Sequence, residues 1–313
     1  MTRFSTDFKM FYSQDEDSVT FPVKKDDSST ATLNNDKFWM GETEVTNAVC
    51  AAVYQWAYDN ARFNTTSNTD PNYLSTTTVK CGNQELLDLD DSISGGNYCK
   101  INYDGLGHFT VDSGYDDHSV VMVSWYGAII FCNWLTEMRD GNTDNVVYEW
   151  VDDGTGSGTA SDGIWQDDET TEDVSKNGYR LPQSYEWEYA ARYRNEATNA
   201  VWLYNNPWYT QGNSASDATA DYTSSPATRE VGWCSDNSGW RVHAVKEKRK
   251  NDLELYDMSG NVWEWCFTKS VAERVLRGGS FGNIMSELQI GYVISNNPDL
   301  EQNMMGFRLC RTR

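Results

Sequence analysis

The chain has 313 residues, with 39% hydrophobic and 13% aromatic side chains, including 13 Trp and 18 Tyr. That supply of apolar area excludes global disorder and is ample for a sizeable core. Lys and Arg total 25 against 47 Asp and Glu, a net charge of −22. A field of that sign repels phosphate backbones and anionic headgroups, which argues against nucleic-acid and membrane-surface partners. No apolar run reaches the length of a membrane span.

The opening residues, MTRFSTDFKMFYSQ, lack the apolar region of a secretory signal. Residues 1–35 read as an irregular lead-in with strand character at Phe8, Met10 and Tyr12, then Val19, Phe21 and Val23. A helix is predicted over Glu42–Asn60, with Thr46 as N-cap and Val49, Ala52, Val53 and Trp56 at helical spacing. Residues 61–118 are rich in Asn, Thr, Ser, Asp and Gly and read as a loop-dominated insertion with one or two hairpins. A second helix is predicted from Ser124, as N-cap, to about Met138, with a stripe of Ala128, Phe131, Cys132 and Leu135. Residues 151–173 form an acidic, Gly- and Ser-rich stretch whose carboxylates lack the EF-hand calcium spacing. A third helix follows Pro182, with Ser184 as the expected N-cap and Trp187, Ala190 and Ala191 on its buried side.

Residues 199–250 show little periodicity. Short strand-like runs follow at Leu253–Tyr256, Val262–Phe267, Val275–Leu276 and Phe307–Cys310. Trp263 and Trp265 alternate, which sends both rings to one face of a strand and into the core. Gly278 and Gly279 point to a tight backbone turn. Few short helices, many short strands and long loops indicate an α+β fold, read as one domain over 1–313 with insertions near 61–118 and 140–177.

The seven cysteines include no CxxC pair, so zinc ribbons and thioredoxin-type redox motifs are excluded. Cys50, Cys132 and Cys266 sit among apolar neighbours and read as small core residues; Cys81 and Cys99 either bridge or stay free. His108, His118 and His243 lack HxH or HxxxH spacing and read as lone surface histidines. No Ser-His-Asp arrangement or phosphate-cradling glycine loop is visible.

Six segments occur in order: GETEVTNAVCAAV (41–53), VVMVSWYGAIIFCNWL (120–135), GYRLPQSYEWEYAAR (178–192), LYDMSGNVWEW (255–265), RVLRGGSF (274–281) and GFRLCR (306–311). Together they resemble the formylglycine-generating-enzyme, or sulfatase-modifying-factor, family, which implies a C-type-lectin-like fold. Oxidases of that family place a copper-binding thiolate pair after the Gly-Gly-Ser segment. By that resemblance the two positions fall on Asn283 and Leu288, and neither side chain supplies a soft ligand. The resemblance therefore implies no oxidase activity.

The frame of Phe281, Pro298-Asp299 and Gly306-Phe307-Arg308-Leu309 also resembles the variable proteins of diversity-generating retroelements, the treponemal ones among them. That implies a variable region of about 261–313 and a hypervariable ligand-binding set: Gly282, Asn283, Ile284, Ser286, Glu287, Gly291, Tyr292, Ile294, Ser295, Asn296, Leu300, Gln302, Asn303 and Met304. Ile284 and Ile294 suit a contact patch better than an ordinary loop. The implied partner is a macromolecular or cell-surface ligand. The implied location is the bacterial cell surface, through a lipid anchor outside this chain.

The same family resemblance implies a structural calcium ion, held by the carboxylates of Asp257 and Glu264 and the carbonyls of Gly260 and Val262. The alternative is that Asp257 caps a turn and Glu264 pairs with an arginine. Arg277 and Arg308 are expected to be scaffold residues. Two further readings stay open: a family enzyme of unrecognised chemistry, and a carbohydrate-binding lectin using Asn297-Pro298-Asp299.

Overall fold

The computed structural model describes residues 8–10, 18–34, 38–62, 73–81, 84–90, 96–151, 157–159, 170–203 and 208–312. Tyr12 and most of the acidic stretch 151–173 lie outside the described residues. Among the described residues, four α-helices and many short strands make an α+β fold.

A seven-stranded sheet organises the molecule. Its order is Phe8–Met10, Phe38–Glu44, Met305–Thr312, Trp263–Ser270, Glu273–Arg277 and Ile294–Asn296, with Tyr179–Arg180 also pairing with Met305–Thr312. Trp263–Ser270 and Met305–Thr312 run parallel, with Trp263 opposite Met305 and Trp265 opposite Phe307. Between these two strands the chain adds Glu273–Arg277 to the sheet, then makes an excursion framed by Gly278 and Gly306 that rejoins the sheet edge at Ile294–Asn296.

Strand alternation divides the core. Trp265, Phe307 and Leu309 pack with α1 (Asn47–Asp59) and α2 (Trp125–Asp140), while the intervening Cys266 and Cys310 pack with α3 (Ser184–Arg192) and the hairpin Ser18–Val23/Ser29–Asn34. Trp263 and Trp265 are both buried on one face, as their spacing predicts, and the Trp265 indole donates to the Val123 carbonyl at 3.1 Å.

The helices begin where side chains satisfy free backbone N–H groups. Thr46 accepts from the Val49 amide, and Ser124 accepts from Gly127 at 3.0 Å. α2 ends at Gly141, whose φ of 73° suits a residue without Cβ. Two predicted boundaries are corrected. Residues 42–44 belong to the strand Phe38–Glu44, so α1 begins only at Asn47. The N-cap of α3 is Gln183, whose N–H is accepted by Glu186 at 2.7 Å; Ser184 instead accepts from Arg277. Leu253–Tyr256 is a turn, because the Asn251 carboxamide oxygen accepts the N–H groups of both Leu253 and Leu255. The insertion 61–118 supplies two hairpins, Thr78–Cys81/Gln84–Asp88 and Ile101–Tyr103/Phe109–Val111. All seven cysteines are buried and unbridged, Cys81 and Cys99 included. Among the described residues, no helix is long and apolar enough to cross a membrane.

Candidate functional site

The excursion leaves the sheet at Gly278 and Gly279, whose φ values of 95° and 78° lie where glycine is favoured. From there the backbone is tied to fixed elements. Phe281 N–H donates to the Asn261 carbonyl at 2.7 Å, and the Phe281 carbonyl accepts from the Ser238 hydroxyl at 2.8 Å. The Asn283 carbonyl accepts from Ser235, Ile290 donates to Ser214, Pro298 accepts from Trp125, and Gln302 accepts from Met122. Main-chain bonds of this kind do not depend on the side chain carried at each position.

Side-chain burial divides along the same segment. Phe281, Leu288, Gln289, Ile290, Pro298, Glu301 and Met305 are buried. Of the fourteen positions predicted to vary, Ile284 is 62% exposed, while Gly282, Asn283, Ser286, Glu287, Tyr292, Ile294, Ser295, Asn296, Leu300, Gln302, Asn303 and Met304 are partly exposed. Gly291 is the exception. It is buried, and a Cβ there would lie 2.2 Å from the Lys24 carbonyl carbon and 2.3 Å from the Lys25 nitrogen. No side chain fits that gap, so Gly291 is a scaffold position and is removed from the set. Gly282 differs: the one close atom to its Cβ would be the Met304 sulfur, at 2.7 Å on a flexible side chain. Val293, 49% exposed, and the half-buried Met285 join the surface although the sequence frame did not mark them.

Beside this surface lies a cleft of ≈ 390 Å³. Ile284 and Met285 line it together with Ser225 and Arg229, from α4 (Ser225–Val231), and with Ser235, Asp236 and Trp240. Sequence reasoning missed α4 and Trp240. α4 is a short helix with no apolar stripe to read, and Trp240 sits in a polar run, Asp236-Asn237-Ser238-Gly239. An aromatic residue placed after such a turn was the only available signal.

The proposed calcium ligands are arranged otherwise. Both Glu264 oxygens accept from the buried Arg308 guanidinium, at 2.8–3.1 Å, and Oε2 also accepts from the Trp187 indole at 2.7 Å. Asp257 Oδ2 accepts the Lys246 N–H, and only its Oδ1 is left buried without a hydrogen bond. Among the described residues no three His, Cys, Asp or Glu side chains converge as a metal site. A calcium ion on Asp257, Gly260, Val262 and Glu264 does not fit this arrangement, because the second carboxylate is already neutralised by an arginine. Arg308 also donates to the Gly41 and Tyr256 carbonyls, and Arg277 bonds Glu188 and the Ile290 carbonyl, so both arginines are scaffold residues. Nearby, the buried Glu44 carboxylate accepts from Ser119, Asn261 and the Val262 N–H. Burial first, and then the charges of Asp257 and Glu264, push its pKa well above the carboxylate range.

Among the described residues, five of the seven cysteines and two of the three histidines are held in ways the structure accounts for. Burial pushes up the thiol pKa of Cys50, Cys132, Cys234, Cys266 and Cys310, which disfavours the nucleophilic form. The His243 ring stacks on Trp233 at 3.7 Å and bonds the Ser238 carbonyl, and His108 pairs with Asp104. Leu288 is buried and Asn283 carries a hydrogen-bonded carboxamide, with Nδ2 donating to Glu287 at 2.8 Å. Asn297 uses its side-chain oxygen to accept the Asp299 N–H, so that triplet makes a local turn.

The model of the sulfatase-modifying factor enzyme 1-like domain matches residues 8–313. The chain belongs to that family. Among relatives, it is 30% identical over 194 residues to the chaperone protein LppX of Paenibacillus barcinonensis, covering 56% of this chain and 64% of that one. It is 31% identical to the formylglycine-generating enzyme of Streptomyces coelicolor, covering 42% of this chain and 46% of the enzyme. It is 30% identical to the inactive Cα-formylglycine-generating enzyme 2 of Bos taurus, covering 42% and 43%. The chain thus spans less than two thirds of the length of these relatives. In structure it is similar to Treponema denticola variable protein 1, with a TM-score of 0.60 and 22% identity over 98% of this chain and 95% of that one. This family member therefore shares the C-type-lectin-like α+β fold with both enzymes and proteins of other kinds.

Proposed function

We propose that this member of the family is a non-catalytic ligand-binding protein. Its binding surface is the segment 282–304, with side chains diversified by a retroelement. The observation that carries the reading is the burial pattern. Thirteen of the fourteen sequence-marked positions reach the surface, while Leu288, Gln289, Ile290, Pro298 and Glu301, lying between them, are buried and the backbone is pinned by fixed residues. A library of side chains needs such a scaffold, since surface substitutions change stability by about 0.5 kcal/mol or less. The fold likeness to a protein named as variable supports it. So does the absence of a thiolate at Asn283 and Leu288. The ligand is a protein or other cell-surface molecule, met at a bacterial surface; the charge of −22 disfavours nucleic acid.

The test is to sequence the gene's neighbourhood. A near-copy of the stretch encoding 261–313, differing only at template adenines, beside a reverse-transcriptase gene, is the expected result. Absence of both would remove diversification. The enzyme reading is favoured by the similarity to the Streptomyces coelicolor enzyme. Copper or iron uptake with turnover of a cysteine peptide would establish it instead.

A further inference from the structure

The cleft beside the variable surface has features that its neighbours do not explain. Trp240 is 66% exposed, yet its backbone sits at φ 60°. Non-glycine residues rarely adopt that region, and a bulky aromatic there is a strained choice. The conformation is held in place. Trp240 N–H donates to the Ser238 hydroxyl at 3.0 Å, and that hydroxyl donates onward to the Phe281 carbonyl, where the variable segment begins. Gly239, at φ 65°, completes the turn that lifts the indole into water. For stability alone a second glycine would serve better at this position.

Ile284, 62% exposed, and Met285 line the same cleft as the indole. Trp and Met are enriched in protein-recognition surfaces, and contiguous exposed apolar groups mark such sites. The polar wall is asymmetric. Arg229 Nε and Nη2 both donate to Asp236 Oδ2. Asp236 Oδ1 receives no hydrogen bond among the described residues, and the side chain is 44% exposed. Asp236 therefore lines the cleft with one acceptor oxygen left over from its pairing with Arg229, next to Trp240, Ile284 and Met285, on a molecule whose net charge of −22 attracts cations.

We propose that this cleft is an anchor pocket for a polypeptide partner, in which the indole is constant and the Ile284 side differs between versions of the variable segment. It takes one bulky apolar side chain between Trp240 and Ile284, with a neighbouring Lys or Arg bonded to Asp236. Trp240 lies outside the variable segment, so every version of that segment would present the same indole. The inference rests on the ligand-binding reading of this face and not on how its residues arose.

The probe is a random dodecapeptide phage library panned against the immobilised full chain, followed by affinity measurements on synthetic copies of the enriched peptides. Enriched peptides are expected to carry Leu, Met, Phe or Trp beside Lys or Arg, and to bind more weakly as salt is raised. Trp240→Gly is expected to weaken them at least tenfold while the melting temperature holds or rises. Ile284→Ser weakens them too. Leu106→Ser, which removes an exposed apolar residue from another loop, leaves affinity unchanged. No enrichment above an uncoated surface, enrichment of acidic peptides, affinity indifferent to Trp240→Gly, or a drop of several degrees in melting temperature would each overturn the proposal. Trp240-dependent binding of a glycan array without peptide binding would assign the cleft to carbohydrate and overturn it as well. A missing template repeat would remove diversification and leave these results standing, so the two failures are separable.

Discussion

Glu301 is a carboxylate set inside the protein with its Oε1 buried and unbonded. Burial, with the charges of Glu85, Asp88 and Asp299, raises its pKa to about 8. Burial likewise lifts Asp257 to about 6. An unfolded glutamate titrates near about 4.3. Between those values the folded chain holds a proton that the unfolded chain has released, so stability falls as pH rises. The melting temperature is expected to decline from pH 5 to pH 8. Glu301→Gln is expected to raise it at pH 8 and to flatten the profile; a profile unchanged by the substitution would refute the assignment. Gly291→Ala is a second test at this scale. Its Cβ meets backbone on both Lys24 and Lys25, an overpacking cost of about 1–3 kcal/mol. Gly282→Ala, whose one close contact is the Met304 sulfur on a flexible side chain, is expected to cost less than about 0.5 kcal/mol. Urea midpoints separate the two. Nothing in the sequence around Gly291 announces Lys24, because that approach is made by tertiary packing alone. The frame could mark the position but not what stands against it.

The excursion between the parallel strands behaves as two interleaved sets of residues. Leu288→Ala is expected to cost about 2–5 kcal/mol, since the side chain is wholly buried. Ser286→Ala and Asn303→Ala are expected to stay within about 0.5 kcal/mol. Chemical denaturation of the three variants checks this, and a surface substitution as costly as Leu288→Ala would defeat the scaffold argument. Much of this level was legible. α2 announced itself through Ser124 and its apolar stripe, and the strand around Trp263 and Trp265 through simple alternation. Leu253–Tyr256 misled because Asn251 folds the same residues into a turn. α4 stayed hidden because seven residues are too few to show a period.

The whole molecule is joined at Arg308 and Glu264, a fully buried pair that links the two parallel strands and reaches the carbonyls of Gly41 and Tyr256. Arg308→Met would strand the Glu264 charge and is expected to destabilise the fold by about 3–5 kcal/mol. Calcium or a chelator is expected to leave the melting temperature unchanged, because the carboxylate that would bind the ion already has its cation. A calcium-dependent rise would reverse that conclusion. Family motifs located both residues in the sequence, but their pairing depends on two strands whose register only the sheet fixes.

The backbone that Gly291 presses against is itself clamped: Lys24 N–H donates to Glu188 at 2.8 Å, its carbonyl accepts from Arg192, and Lys25 lies over the Tyr292 ring at 3.7 Å. Lys24 and Lys25 are exposed and are also tryptic sites. Cleavage of their peptide bonds requires pulling this stretch away from the glycine, so the speed of cleavage there is a clock for how firmly the adjoining face, the proposed binding surface, is held. A ligand that tightens the face should slow the clock, which makes a simple digestion time course a way to find one.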